Sequence, residues 1–493
     1  MIFADLREYI EALEKKGELK RVTAQVHWDE EIGGICEQGL ARGSSALLFE
    51  NITDYNKTHG RKVLANTTFT SKVRVYTALN VPDDSHPLEA MKILRSRCKK
   101  PVKPVMVETG SCKEVVEKGD DVNLLEFPVP KWHGKDGGRY FLTLSGAVTK
   151  DPETGWVNIG NYRGMLLDRN SIGMLLIPMQ HWAMHADKYR ALGKSMPMAV
   201  FLGGEPVSTF VSMTPFPAGV CEYDIAGAIR EKPLELVKCE TVDLPVPASA
   251  EIVLEGELLL DPASYRPEGP SGEYPGYYTK VSAEPRPVFK VHCVTHREDP
   301  IILGLYEGYA ERYPRAKPCS FLECIPLWDL LESQGVVGIS GVYGLDPFPT
   351  CHAIIAVSVE QPYFGQARQI AAALWGNSLS AQIAKYVIVV NSDVDITDPA
   401  SVWLAIANRT RPGEDLVIYP RSMGAPLDPS VSPDIVRQTG GLGSWDRVLI
   451  DATWPADWQP RPEWGGLKHP VPCAPEPEIM ARVRRCWKEY NID

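Results

Sequence analysis

The sequence predicts an α/β protein of several domains, and three observations carry that prediction. A chain of 493 residues is too long for one hydrophobic core and should divide. Its middle third consists of short β-rich runs broken by Gly and Pro, the pattern of a barrel or sandwich. Its last third alternates apolar strands with helical stretches, the pattern of an open α/β sheet. The expected domains are residues 1–115, 116–315 and 316–493.

In the first domain, Asp5 to Lys16 reads as an amphipathic helix. Leu6, Ile10 and Leu13 share a face, Asp5 can cap the start with Glu8 three residues on, and Gly17 ends it. Mixed strand and helix signals follow, making this a small α/β domain that closes at "KKPVKPVMVETGSCKEVV". The middle domain offers "YFLTLSGAVTK", "GWVNIGNYRG", "IGMLLIP", "MAVFLGG", "EIVLEGELLL" and "PVFKVHCVTHRED" as strands, with helices near 181–192 and 222–230. In the last domain strand "HAIIAVSV" leads to helix "GQARQIAAALWG", strand "KYVIVVNSDVD", helix "DPASVWLAIANRT" and strand "DLVIYP".

Bulk properties remove several function classes. A net charge of −11, without a basic cluster to follow a phosphate backbone, argues against nucleic-acid binding. No run approaches the roughly 18 apolar residues of a membrane span. The start, Met-Ile-Phe-Ala-Asp-Leu-Arg, lacks the basic and apolar segments of a signal peptide. Eleven scattered cysteines without Cys-x-x-Cys read as reduced thiols, so the expected compartment is the cytoplasm. No G-x-G-x-x-G follows a strand, and a Rossmann dinucleotide site is unsupported.

Three stretches concentrate chemistry. "WVNIGNYRG" places Asn158 and Arg163 on a strand or at its end. In an unbroken strand, residues five apart face opposite ways, so either Gly160 hosts a bulge or the strand ends before Arg163. "IPMQHWAMHADKYRALG" sets His181 and His185 four apart on one helix face. A zincin site needs Glu directly after its first His, and Trp182 stands there instead, which argues against zinc. "YRPEGPSGEYPGYY" carries Glu268 and Glu273. Two loop carboxylates alone serve solubility more often than catalysis, but this much Gly and Pro dictates an unusual backbone path.

Taken together, "NIGNYR", "QH", "CEYDIAGAIR" and "PEGPSGEYPGYY" resemble, in order and spacing, the UbiD family of reversible decarboxylases. "LVKCETVDLPVPASAEIVLEGEL" and "KYVIVVNSDVDITDPASVWLAIANRTRP" extend the resemblance almost end to end. It implies a central split β-barrel binding prenylated FMN and a C-terminal domain for closure and oligomerisation. It further implies Asn158, His181 and Glu222 as ligands of a divalent ion, Mn2+ or Mg2+, held against the flavin phosphate. A nearby K+ falls at Ser212 and Met213. Ile159, Tyr162, Gln180 and Lys385 fall at cofactor-contacting positions, and Arg163, Glu268 and Glu273 match the catalytic network.

The family reaction removes CO2 from an aromatic or unsaturated acid through a covalent substrate–flavin adduct, because no side chain can hold the electrons released. On this pattern Arg163 orients the carboxylate and Glu273 returns the proton. The cofactor is supplied by a separate flavin prenyltransferase, and a homodimer or larger homo-oligomer is expected. Gln180 and Tyr274 should face the substrate, with Tyr306, Tyr309, Arg312 and Tyr313 toward the far end of its pocket. Their rings favour an aromatic or heteroaromatic acid, with cinnamic-type acids, or service as the catalytic subunit of a larger arene carboxylase, as alternatives. An ordinary flavin oxidoreductase is disfavoured, since hydride transfer needs neither metal triad nor paired glutamates.

Overall fold

Helix Leu6–Lys15 opens the chain as its pattern dictates: Leu6, Ile10 and Leu13 are buried, and Asp5 accepts a hydrogen bond from the Glu8 N–H. A computed structural model describes residues 2–55, 61–67, 71–278, 282–308, 322–345, 353–360, 362–471 and 473–492. The first sheet orders strands Leu19–Val22, Ala46–Phe49, Lys62–Ala65 and Ile301–Gly304. The last of these pairs in parallel with Lys62–Ala65, so the chain returns to the N-terminal sheet after completing the middle one.

The middle sheet has nine antiparallel strands, following the path Tyr140–Leu142, Gly164–Asp168, Ser171–Met174, Val288–His296, Ile252–Leu259, Met196–Leu202, Gly146–Lys150 and Val157–Gly160. Strand Val115–Lys118 pairs with Val288–His296 off this path. Val157–Gly160 and Gly164–Asp168 lie six strand spacings apart along the path, about 29 Å if the sheet were flat. The link between Gly160 and Gly164 is four Cα steps, at most about 15 Å. The sheet must curl so that its ends approach, and the result is a split barrel.

Between its strands stand helices His181–Ala191 and Glu222–Arg230, at the expected positions. A third, Pro206–Ser212, was not expected. Its sequence is rich in β-branched residues and reads poorly as helix. Burial of every residue and capping of Val207 and Ser208 N–H by Glu205 decide it nonetheless.

The last sheet orders Ile339–Gly344, Ile354–Val359, Tyr386–Asn391, Gly443–Ala452 and Leu416–Gly424. The middle three are parallel and the two edge strands antiparallel. "DLVIYP" is thus the strand expected, at the antiparallel edge of the sheet. Among the described residues, no helix is long and apolar enough to cross a membrane.

Candidate active site

Strand Val157–Gly160 ends before Arg163, which settles how Asn158 and Arg163 serve different clusters. Asn158 stays in the sheet, paired with Thr149. Arg163 sits in the short link that crosses to the far end of the sheet, with the Asn161 N–H anchored on the Ser212 carbonyl at 2.9 Å.

The first cluster gathers at two helix starts. His181 and Glu222 are the first residues of their helices, and neither preceding residue, Gln180 or Cys221, caps with its side chain. The open N–H groups and dipoles of two helix N-termini favour an anion there. His181 Nδ1 lies 3.0 Å from Asn158 Oδ1, and the Ile159 N–H donates to Glu222 Oε2 at 2.9 Å. Because the Asn158 oxygen only accepts, Nδ1 carries the proton and Nε2 keeps the lone pair. Burial lowers the His181 pKa and raises that of Glu222 to about 8. Among the described residues no cation pairs with Glu222, although it is 2% exposed. A buried carboxyl without a counter-charge is costly, so amide oxygen, imidazole and carboxylate here fit a bound divalent cation.

His185 is a different case. Its Nδ1 lies 2.9 Å from Thr149 Oγ1, it is fully buried against Trp156, and burial pushes its pKa down to about 4. Its Nδ1 is thus taken up by Thr149, and among the described residues no group of three or more His, Cys, Asp or Glu is placed to hold a metal. His185→Ala should therefore cost about 2 kcal/mol of stability, from the cavity and the stranded Thr149 hydroxyl. Denaturant unfolding should show that loss.

The second cluster centres on Arg163. Its Nε and Nη2 fork onto Glu268 Oε1 and Oε2, each at 3.1 Å, and Nη1 pairs with Glu273. Glu268 and Glu273 are both buried. Tyr140, absent from the expected set, donates from Oη to Glu268 Oε1 at 2.9 Å, and its own pKa is raised by burial and by Glu268. The loop with the two glutamates begins on strand Arg266–Glu268, which pairs with Glu284–Arg286.

Arg163 stands between two cavities. One, of about 160 Å³, is lined by Gln180, Glu273, Tyr274, Leu305 and Glu307 among others. The other, of about 430 Å³, runs past Glu268 and Arg286 to Pro426 and Arg437 of the C-terminal domain. Tyr162 stacks on Trp182 with centroids 4.0 Å apart, flooring the region between the clusters, and Gln180 Oε1 accepts from Trp182 Nε1. The Ser212 hydroxyl lies 2.8 Å from the Thr209 carbonyl and 3.1 Å from that of Ser145, either of which can accept its one proton, and Met213 packs on the core beside it.

Other expected residues lie elsewhere. Lys385 is held by Asp428 at 3.1 Å and Ser430 at 2.7 Å and lines neither cavity, although Asp428 lines the larger. Tyr306 gives its hydroxyl to Glu37 and its ring to His133, leaving Leu305 and Glu307 on the cavity wall. Tyr309, Arg312 and Tyr313 lie outside the described residues. His133, Asp136, Tyr140 and Glu307 reach the site unforeseen; the polar, Gly-rich "WHGKDGGRY" was the available signal for the first three.

The protein thus holds an arginine between two buried carboxyls in a split barrel, beside a cluster of amide oxygen, imidazole and carboxylate. Comparison with known proteins makes it a carboxy-lyase. Residues 10–94, 103–310 and 318–452 match the N-terminal, Rift-related and C-terminal domains of 3-octaprenyl-4-hydroxybenzoate carboxy-lyase. The chain belongs to the UbiD family. It is 31% identical to pyrrole-2-carboxylic acid decarboxylase of Pseudomonas aeruginosa, over 99% of this chain and 98% of that one. Among solved structures, the closed form of vanillic acid decarboxylase from Sedimentibacter hydroxybenzoicus covers both chains fully, with TM-score 0.85 and 29% identity. The UbiD-class enzyme HmfF of Pelotomaculum thermopropionicum, in complex with FMN, has TM-score 0.79 and 31% identity, over 97% of this chain and 98% of that one.

Proposed function

We propose that this UbiD-family enzyme decarboxylates, reversibly, a monocarboxylic acid on an aromatic or heteroaromatic ring, with prenylated FMN as cofactor. One observation carries the reading: Arg163 is forked onto Glu268 while its remaining nitrogen meets Glu273 at the wall of a small cavity. Related structures hold FMN or, in an evolved dimeric HmfF, prFMN. Asn158, His181 and Glu222 would hold Mn2+ or Mg2+ against the flavin phosphate, at the two open helix N-termini. Backbone carbonyls near Ser212 and Met213 would serve K+. The bound cofactor supplies the electron sink that a departing CO2 requires.

The chain's own residues do the rest. Glu268, braced by Tyr140, fixes the guanidinium plane through two parallel hydrogen bonds. That leaves Nη1 as the donor for which the substrate carboxylate competes with Glu273. Once displaced from Arg163 into a buried site, Glu273 gains affinity for a proton. CO2 departs as the carbon–carbon bond breaks, the Glu273 proton goes to the ring carbon, and solvent restores it. Closure of the C-terminal domain over Arg163 excludes water during this step, and Pro426 and Leu427 already line both cavities.

Nine described cysteines are free, which fits the reducing cytoplasm. Exposed Trp403, Leu404, Ile418 and Tyr419 offer apolar area for a homodimer.

The test is co-production with a flavin prenyltransferase, followed by a panel of acids. Hydroxybenzoates or heteroaromatic acids should release CO2, or exchange their ring hydrogen with deuterated solvent, before phenylacrylates do. Equal activity without the prenyltransferase would refute the cofactor. A panel in which only phenylacrylates or aliphatic enoic acids react would refute the substrate class.

A further inference from the structure

The turn at residues 133–137 grips the loop that carries the two glutamates. Asp136 Oδ1 accepts the Gly272 N–H at 2.9 Å, and the Gly137 N–H donates to the Pro270 carbonyl at 2.8 Å. Contact is too close for side chains: a Cβ on Gly137 would lie 1.9 Å from the Gly269 oxygen, and one on Gly272 would lie 2.6 Å from His133 Nδ1. Gly272 immediately precedes Glu273. Whatever holds this turn therefore holds the proposed proton donor.

His133 ties the turn to the Glu307 segment, which lines the same cavity. Its Nδ1 lies 3.1 Å from Asp136 Oδ2, and its Nε2 lies 2.5 Å from the Glu307 carbonyl oxygen. Asp136 Oδ2 also accepts the His133 backbone N–H at 2.9 Å. A carbonyl oxygen and an ionised carboxylate can only accept, whereas a neutral imidazole has one N–H. Satisfying both partners requires the doubly protonated ring.

We infer that His133 and Asp136 are positioning residues, an imidazolium–carboxylate pair that clamps residues 269–272 to the Glu307 segment and thereby aims Glu273 at Arg163. The inference rests on the role proposed above for Glu273. The groups facing His133 are Asp136 on its own turn, Glu307 at its Nε2, the Tyr278 ring edge and the Tyr306 ring. Burial lowers the imidazole pKa, but Asp136 and the Glu307 carbonyl outweigh it and raise the pKa above the ordinary histidine value. A group whose folded pKa is raised contributes fully at low pH and loses its contribution as pH rises through that value. The clamp is thus intact in acid and slackens in base.

Asp136→Asn tests this, because an amide oxygen can still accept the Gly272 N–H while the charge is gone. In the cofactor-free whole chain with ¹⁵N-labelled histidine, the resonance missing from His133→Gln identifies His133. It should titrate above the ordinary value of about 6.5, and Asp136→Asn should lower it by about one unit or more. In the prenyltransferase-loaded enzyme, the same substitution should move the alkaline limb of kcat to lower pH and reduce kcat at least about tenfold. KM should stay within about threefold, since substrate binding is not the clamp's task. A His133 resonance at or below the ordinary value, or an alkaline limb and kcat unmoved in Asp136→Asn, would overturn the inference. Loaded wild-type enzyme inert toward every aromatic acid would instead refute the proposed function, and the resonance would still decide the state of the clamp.

Discussion

Glu273→Gln should lower turnover by about 10²- to 10⁴-fold, the range that a positioned general acid contributes, while leaving flavin content unchanged. Gln matches Glu in shape, and its oxygen can still accept from Arg163 Nη1, where Glu273 now sits. It cannot give up a proton to the ring carbon. The absorbance of bound flavin and solvent-hydrogen exchange into the product, measured on one preparation, separate the two effects. Turnover within tenfold of wild type, or ring exchange at the wild-type rate, would remove Glu273 from the role of acid. Glu268 differs: both its oxygens are bound by Arg163 and one also by Tyr140, so it holds the guanidinium in place.

His181→Ala and Glu222→Ala should each empty the cofactor site. Removing either takes away one of the three groups proposed to hold the divalent ion, and ion and flavin phosphate should bind as a unit. Even outer-sphere partners of a metal cost about 10- to 100-fold in affinity when lost, so a direct ligand should cost at least about 10²-fold. Metal analysis and flavin stoichiometry on purified, co-produced protein read this directly. The folds of these variants should survive, since Ala at Glu222 removes a buried carboxyl that has no cationic partner among the described residues. Full metal and flavin in either variant would dismantle the proposed triad.

The sequence alone determined the elements whose local and tertiary demands agree. Helix Leu6–Lys15 has its cap, its apolar face and its terminating glycine within one continuous stretch, Asp5 to Gly17, so no distant contact was needed to recognise it. The parallel strands Ile354–Val359 and Tyr386–Asn391 announced themselves as apolar runs, buried on both faces in the sheet. Asn158, Arg163, His181, Glu222, Glu268 and Glu273 were singled out by the resemblance of their short motifs to the UbiD family, since on composition alone two loop glutamates read as solvent-facing charges.

Only the tertiary structure decided what depended on separation along the chain. Pro206–Ser212 is a helix because its surroundings bury it, overriding weak local propensity. Arg163 leaves the face of Asn158 because the curled sheet must cross from one end to the other through a three-residue link, a closure that no local pattern encodes. Tyr140 reaches Glu268 across 128 residues of sequence, and His133 reaches Glu307 across 174. Each is an ordinary polar residue in its own segment. It becomes part of the site only because the split barrel brings together backbone acceptors and buried carboxyls that must be paired once water is excluded.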